Sequence, residues 1–257
     1  MKISLAIFAF VLASFGVKSQ SDDIGVFLGA SYYTGDLNPY GHFNQNTNPA
    51  LGIVYRHNTR DNRMSFRLHG MYGKIEGYDH QSKNDFRKNR DLNFSSEIYE
   101  VAALWEINFF EYELGNTSRN YFSPYLFMGV AYYSFNPKAL YNNDWYEVRP
   151  LGTEGQNTSV NSDDYYKLNQ FSVPLGIGIK MNLSRSIGIA FEYGVRKTFT
   201  DYLDDVSKKY VDPDVLVNES GQLTSVFSDR SYQQTGDRNI GTNRGTSELN
   251  DWYYFAG

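Results

Sequence analysis

Hydrophobic and polar positions alternate with a period of two along much of the chain. Phe171, Val173, Leu175, Ile177, Ile179, Met181 and Leu183 occupy successive odd positions, and Ser172, Pro174, Gly176, Gly178, Lys180 and Asn182 fill the gaps. The next stretch repeats the pattern. Ile187, Ile189, Phe191, Tyr193, Val195 and Phe199 face one way, interrupted by Lys197, while Gly188, Ala190, Glu192, Gly194, Arg196 and Thr198 face the other. Only residues 182–185 separate the two runs, which predicts two strands joined by a tight hairpin. Weaker alternation marks 64–72 and 99–109. Shorter candidates at 24–33, 51–56, 122–135 and 249–257 bring the number of predicted strands to eight.

One face of these strands is bulky and apolar. The other collects glycine, alanine and charge, namely Arg56, Arg63, Arg67, His69, Glu100, Glu106, Lys180, Glu192 and Arg196. A soluble sandwich would turn its apolar face inward, and periodicity alone does not say which face is inside. Strand length favours the opposite arrangement, because about 12 residues suffice for a tilted crossing of the hydrocarbon layer. Aromatics also crowd the strand ends, with Phe109, Phe110, Tyr112 and Tyr121 at one and Phe171 and Phe199 at the other. That distribution matches the girdles of a bilayer interface. Connections after strands two, four and six are short (59–62, 111–120 and 182–185), and those after the odd strands are long, the last running from 200 to 248. The prediction is therefore all-β: an eight-stranded antiparallel up-and-down transmembrane β-barrel with long external loops and short periplasmic turns.

Composition narrows this further. A mean hydropathy of −0.52 over 257 residues excludes a bundle of membrane-spanning helices. With no cysteine there is no disulfide, thiolate metal site, cysteine nucleophile or lipoprotein acylation site. A net charge of −5 gives no support to nucleic-acid binding. Met1 and Lys2, the apolar run from Ile3 to Leu12, and Val17-Lys18-Ser19 read as a signal peptide over residues 1–19, leaving 20–257 as one barrel domain. At the other end, 250–257 falls short of the 9–11 residues needed to cross. The encoded protein is thus expected to continue for a few alternating residues.

Charges buried in an eight-stranded barrel must pair, because such a barrel is just wide enough to be filled by its own side chains. They make either a structural plug or an ion path, and the plug is the simpler reading. Catalysis has little footing. Of four histidines, His69 belongs with the lumen and His80 lies in the polar run 79–90, which reads as a mobile loop, so no enzyme is expected. Asp201, Asp204 and Asp205, and again Asp212 and Asp214, could hold calcium or simply be solvated. No dedicated calcium-loop spacing is present, and no cofactor or metal is expected. The largest short turn carries Phe110, Glu111, Tyr112, Glu113 and Leu114. This reads either as a partner-binding surface, with aromatic anchors rimmed by charge, or as part of the interfacial girdle.

Three stretches point to a family. Phe135-Asn136-Pro137-Lys138-Ala139, Pro150-Leu151-Gly152-Thr153-Glu154-Gly155-Gln156 and the run from Glu192 to Ser207 resemble the PorG family of the type IX secretion system. The resemblance extends in order from about residue 24 to 255. It implies a bacterial outer-membrane barrel without catalytic residues, a component of the protein secretion and gliding machinery. It also implies periplasmic partners, a ring of the lipoprotein PorK and a second subunit, PorN. Relatives continue the last strand to an aromatic-rich end, whereas this chain stops at Phe255-Ala256-Gly257. The rival expectations are a surface receptor or adhesin barrel and an outer-membrane lipid-modifying enzyme.

Overall fold

The computed structural model describes residues 22–39, 41–231, 236 and 238–257; the segment 1–19, expected to be a signal peptide, lies outside the described residues. The strands are β1 (Asp22–Thr34), β2 (Asn48–Asn58), β3 (Met64–Tyr78), β4 (Asn93–Asn108), β5 (Phe122–Ser134), β6 (Lys138–Tyr141), β7 (Asp144–Glu147), β8 (Asn169–Asn182), β9 (Gly188–Thr198) and β10 (Trp252–Ala256). Eight of them close an antiparallel barrel in the order β1-β2-β3-β4-β5-β8-β9-β10 and back to β1. The seam runs from Ala30 opposite Ala256 to Thr34 opposite Trp252, and β10 also pairs with β9 from Tyr193 to Lys197. The hairpin β6–β7 stands outside this ring and touches it through Lys138 opposite Ser95.

Alternation becomes two environments. Along β4 the even positions are buried, among them Ile98, Glu100, Ala102, Leu104 and Glu106, while Tyr99, Val101, Trp105 and Ile107 face outward. The outward belt is bare: Ile24 and Val26 are each 75 % exposed, and Ile53 and Val101 each 66 %. So wide an apolar surface in water would aggregate, whereas lipid covers it. That removes the soluble sandwich.

Beyond the belt the period persists but its polarity inverts. At the top of β3, Ile75 faces inward and Lys74 and Glu76 face outward, joined at 2.8 Å. This part of the barrel stands in water, and its interior is an apolar core of Tyr33, Ile75, Phe94, Ile98, Phe135, Leu203 and Phe255. The alternating signal read from lipid-facing residues therefore ended short of the true strand, which reaches Tyr78 rather than Tyr72. At β10 the error has the opposite sign. Leu249 donates its N–H to Thr246 in a turn and Asp251 donates to Thr200, so the strand begins at Trp252.

The expected alternation of connections is present. The lower turns are 59–63, 109–121 and 183–187, and the upper connections are longer. Among the upper ones, 79–92 is an ordered turn rather than a mobile loop. It contains α1 (Asp85–Arg90), whose N-cap Asn84 accepts from the Phe86 N–H. Arg90 grips Asp79 through two hydrogen bonds of 2.5 and 2.8 Å. The last connection carries α2 (Pro213–Glu219) and α3 (Gln222–Ser228), with Phe227 packed on Ala139 and Val148.

Candidate functional site

The strands aim their charged inward positions at one another across the lumen. Glu106 on β4 accepts from Lys180 Nζ on β8 at 2.5 Å and from Arg56 Nε on β2 at 2.9 Å. Arg67 on β3 holds Glu192 on β9 by two parallel bonds of 2.6 and 2.8 Å, the geometry in which guanidinium and carboxylate pair best. The Tyr125 hydroxyl adds a third bond to Glu192 at 2.9 Å. A second group sits above. Glu100 meets His69 Nε2 at 2.8 Å and Arg196 Nη2 at 3.2 Å, and accepts from Tyr253 at 2.7 Å. Arg67, Glu106 and Arg196 are fully buried or nearly so. Apart from His69–Glu100, which lies between the paired strands β3 and β4, these bonds join strands that are not neighbours, so they tie the barrel across its axis and fill it.

The lower mouth is closed from beneath. Tyr112, in the turn 109–121, folds under the barrel and donates to Asn182 Oδ1 at 2.6 Å. Its ring lies 4.9 Å below the Lys180 ammonium, a cation–π contact in a desolvated place. Tyr112 is therefore part of the plug and not a free partner anchor. Of the remaining residues in that turn, Phe110 and Glu111 are exposed and Glu113 and Leu114 half-buried. Phe110 joins Phe109, Tyr121, Leu183 and Ile187 in an exposed apolar rim.

Arg63 does not belong to the lumen set. It has the right parity but precedes the first residue of β3, so its exposed side chain reaches Glu111 at 4.0 Å on the lower rim. The histidines considered for catalysis are engaged elsewhere. His69 is buried against Glu100, and His80 packs on the Tyr78 ring at 5.4 Å.

At the upper end, the acidic run 201–205 is buried and not solvated: Asp201, Asp204 and Asp205 are each less than 7 % exposed. Here the stretches 150–156 and 192–207 meet. Asp205 accepts from Thr153 at 2.5 Å and Tyr166 at 2.8 Å, while Glu154 accepts from the Ser207 and Lys208 N–H groups at 2.7 and 3.0 Å. Arg244 sits between them, 3.1 Å from Glu154 and 3.8 Å from Asp205. Burial outweighs Arg244 and pushes the Asp205 carboxyl up to about 6. Burial, with Asp36 nearby, pushes Asp204 up to about 7, and burial beside Asp204 pushes Asp201 up to about 9. The second acidic run behaves as a solvated one, Asp212 and Asp214 sharing the exposed Arg238 at 3.3 and 2.7 Å. Sequence reasoning missed Asp79, Arg90, Glu154 and Arg244, because loops carry no period that tells an inward side chain from an outward one.

The family model described as Domain of unknown function (DUF6089) matches residues 2–226. No curated protein sequence matches the chain. Among solved structures, a crystal structure of Ail, the attachment invasion locus protein of Yersinia pestis, in complex with the heparin analogue sucrose octasulfate, is similar. It shares 13 % identity at a TM-score of 0.37, over 70 % of this chain and 88 % of that one.

Proposed function

The chain belongs to that family, and we propose that it is a non-enzymatic outer-membrane component of the type IX protein secretion and gliding machinery. On this reading the barrel anchors a periplasmic ring, of the PorK and PorN type, to the lipid layer. The carrying observation is the lumen. Arg56, Arg67, Lys180 and Arg196 are tied to Glu100, Glu106 and Glu192 across the axis, and a lumen filled in this way favours work done at the rims over passage through the barrel. The type of machine is supported by the resemblance of 135–139, 150–156 and 192–207. A periplasmic partner would meet the lower rim, where Phe110 and Glu111 are exposed beside Phe109 and Tyr121.

Co-purification from native membranes tests this. Replacing Phe110 and Glu111 together by Ser should release the ring subunits while heat-modifiable mobility of the barrel on a gel is unchanged. If the ring stays bound and is lost instead when Asp212 and Asp214 are changed to Asn, the partner sits on the external face. The ordered external cap favours a second reading, a surface receptor or adhesin. Its ligand would then be lost on changing the exposed Val217 and Leu223 to Ser, with ring co-purification unaffected.

A further inference from the structure

A row of aromatic side chains marks where the apolar belt ends. Tyr72 on β3 stands opposite Tyr99 on β4, their ring centroids 5.1 Å apart, and Tyr132 on β5 stands opposite Phe171 on β8 at 5.3 Å. Such a girdle sits at the level of the lipid headgroups. On the outer face of β4, Val101 and Trp105 lie below Tyr99, and Glu97 and Ser95 lie above it.

Just above the girdle the barrel wall has a notch. β5 parts from β4 at Ser134, opposite Tyr99, and β6 rejoins it at Lys138, opposite Ser95. The hairpin β6–β7 projects there, and hairpin and wall enclose a cleft of about 330 Å³, a volume within the range of small-molecule sites. Trp145 from the hairpin and Tyr99 from the wall line it, both about half exposed, and Lys74, Glu97, Asn136 and Lys138 supply its polar groups. The Asn136 N–H donates to Ser96 Oγ at 2.9 Å, but its side-chain Oδ1 is buried with no hydrogen-bond partner among the described residues. Buried polar atoms are ordinarily satisfied, so this one calls for a partner.

The lining charges are largely cancelled. Lys74 is joined to Glu76 at 2.8 Å, and Lys138 stands opposite Glu147 across the hairpin. Glu97 accepts from the Tyr72 and Tyr99 hydroxyls at 3.2 and 3.3 Å. Such a lining selects neither an anion nor a metal ion. It offers donors and acceptors arranged about exposed aromatic rings, and the molecule that matches both is a hexose. Its hydroxyls reach Glu97, Asn136 and the lysines, while its C–H face packs on Trp145.

We propose that this cleft holds the sugar headgroup of a glycolipid in the external leaflet. Continuity with the belt selects a membrane lipid over a soluble sugar. Tyr99 lines the cleft and also heads the belt, so the acyl chains of a lipid seated there run down over the exposed Val101 and Val130. The leaflet follows from the long connections at this end of the barrel. The proposal rests on the barrel and not on the ring reading.

Reconstitution of the full chain in phosphatidylcholine vesicles containing monoglucosyl or monogalactosyl diacylglycerol tests it. After extraction into a detergent that carries no sugar, the lipid retained by the protein is measured by mass. One glycolipid per chain is expected, enriched over phosphatidylcholine. Trp145→Ala should cut that enrichment about tenfold, whereas Trp105→Leu, in the belt below, should leave it unchanged. Heat-modifiable mobility shows that each variant has folded. Retention of both glycolipids no better than phosphatidylcholine would overturn the proposal. Enrichment that survives Trp145→Ala and Glu97→Gln together would also overturn it, by placing the sugar elsewhere. Soluble methyl glucoside or methyl galactoside binding as tightly as the lipids would overturn the choice of a membrane lipid.

Discussion

Glu106 shows how much a single lumen residue carries. It is buried and accepts from both Lys180 and Arg56. Replacing Glu106 by Ala leaves those two cations without their shared counter-charge, and breaking a buried pair in this way costs about 3–5 kcal/mol. Urea unfolding in lipid vesicles should show that loss. Arg63→Ala, by contrast, removes an exposed rim pair and should change stability by less than about 0.5 kcal/mol. Arg63 and Glu106 share inward parity, so the alternating pattern alone assigns both to the lumen. Parity does not mark where a strand starts, and β3 begins at Met64, which leaves Arg63 outside the lumen. Tyr112 departs from the anchor expectation for a related reason. An aromatic among charges looks like an anchor, and only the fold of the turn shows it tucked beneath Lys180. The cap carboxyls have a sign that follows from their shifts. Asp205, Asp204 and Asp201 hold their protons more tightly when folded than unfolded, up to about 6, 7 and 9. The cap is therefore most stable below about pH 4 and loses stability as pH rises through those values. Proteolytic protection of the stretch 199–231 should fall between pH 5 and pH 9.

At the level of strands, β8 and β9 were legible almost residue by residue. One face of each meets lipid and the other a filled lumen, so the amino-acid pattern is two-sided throughout. Ile177 lies on the outer face of β8, 58 % exposed, opposite Leu126 and Tyr193. Ile177→Arg should cost about 2–4 kcal/mol in a bilayer, the range for a cation at the midplane. Unchanged unfolding of that variant in vesicles would mean that this face does not meet lipid. The upper ends of β3 and β4 were harder to read, because there the outer face is wetted and the inner face is apolar, and a search for bulky outward residues stops too early. The upper connections were the least legible. Arg90 and Asp79 stand eleven positions apart, a pairing that no local pattern announces. Similarly, the run 201–205 looks solvated until Thr153, Glu154 and Arg244 close over it.

The whole molecule is a stack of three environments on one axis. A lipid-belted lower barrel is filled by ion pairs, an aqueous upper barrel by an aromatic core, and a polar cap closes the top with buried acids. The middle layer seals as well as the charges do, since Phe94, Ile98, Tyr133 and Phe135 leave almost no surface exposed. A barrel closed at three levels is expected to act as a fixture in the membrane and to conduct nothing. Planar-bilayer recording of the purified protein tests it most directly. No steady conductance is expected at any applied voltage that leaves the bilayer intact, with at most brief leaks in Glu106→Ala. A stable open channel in the unmodified protein would contradict it.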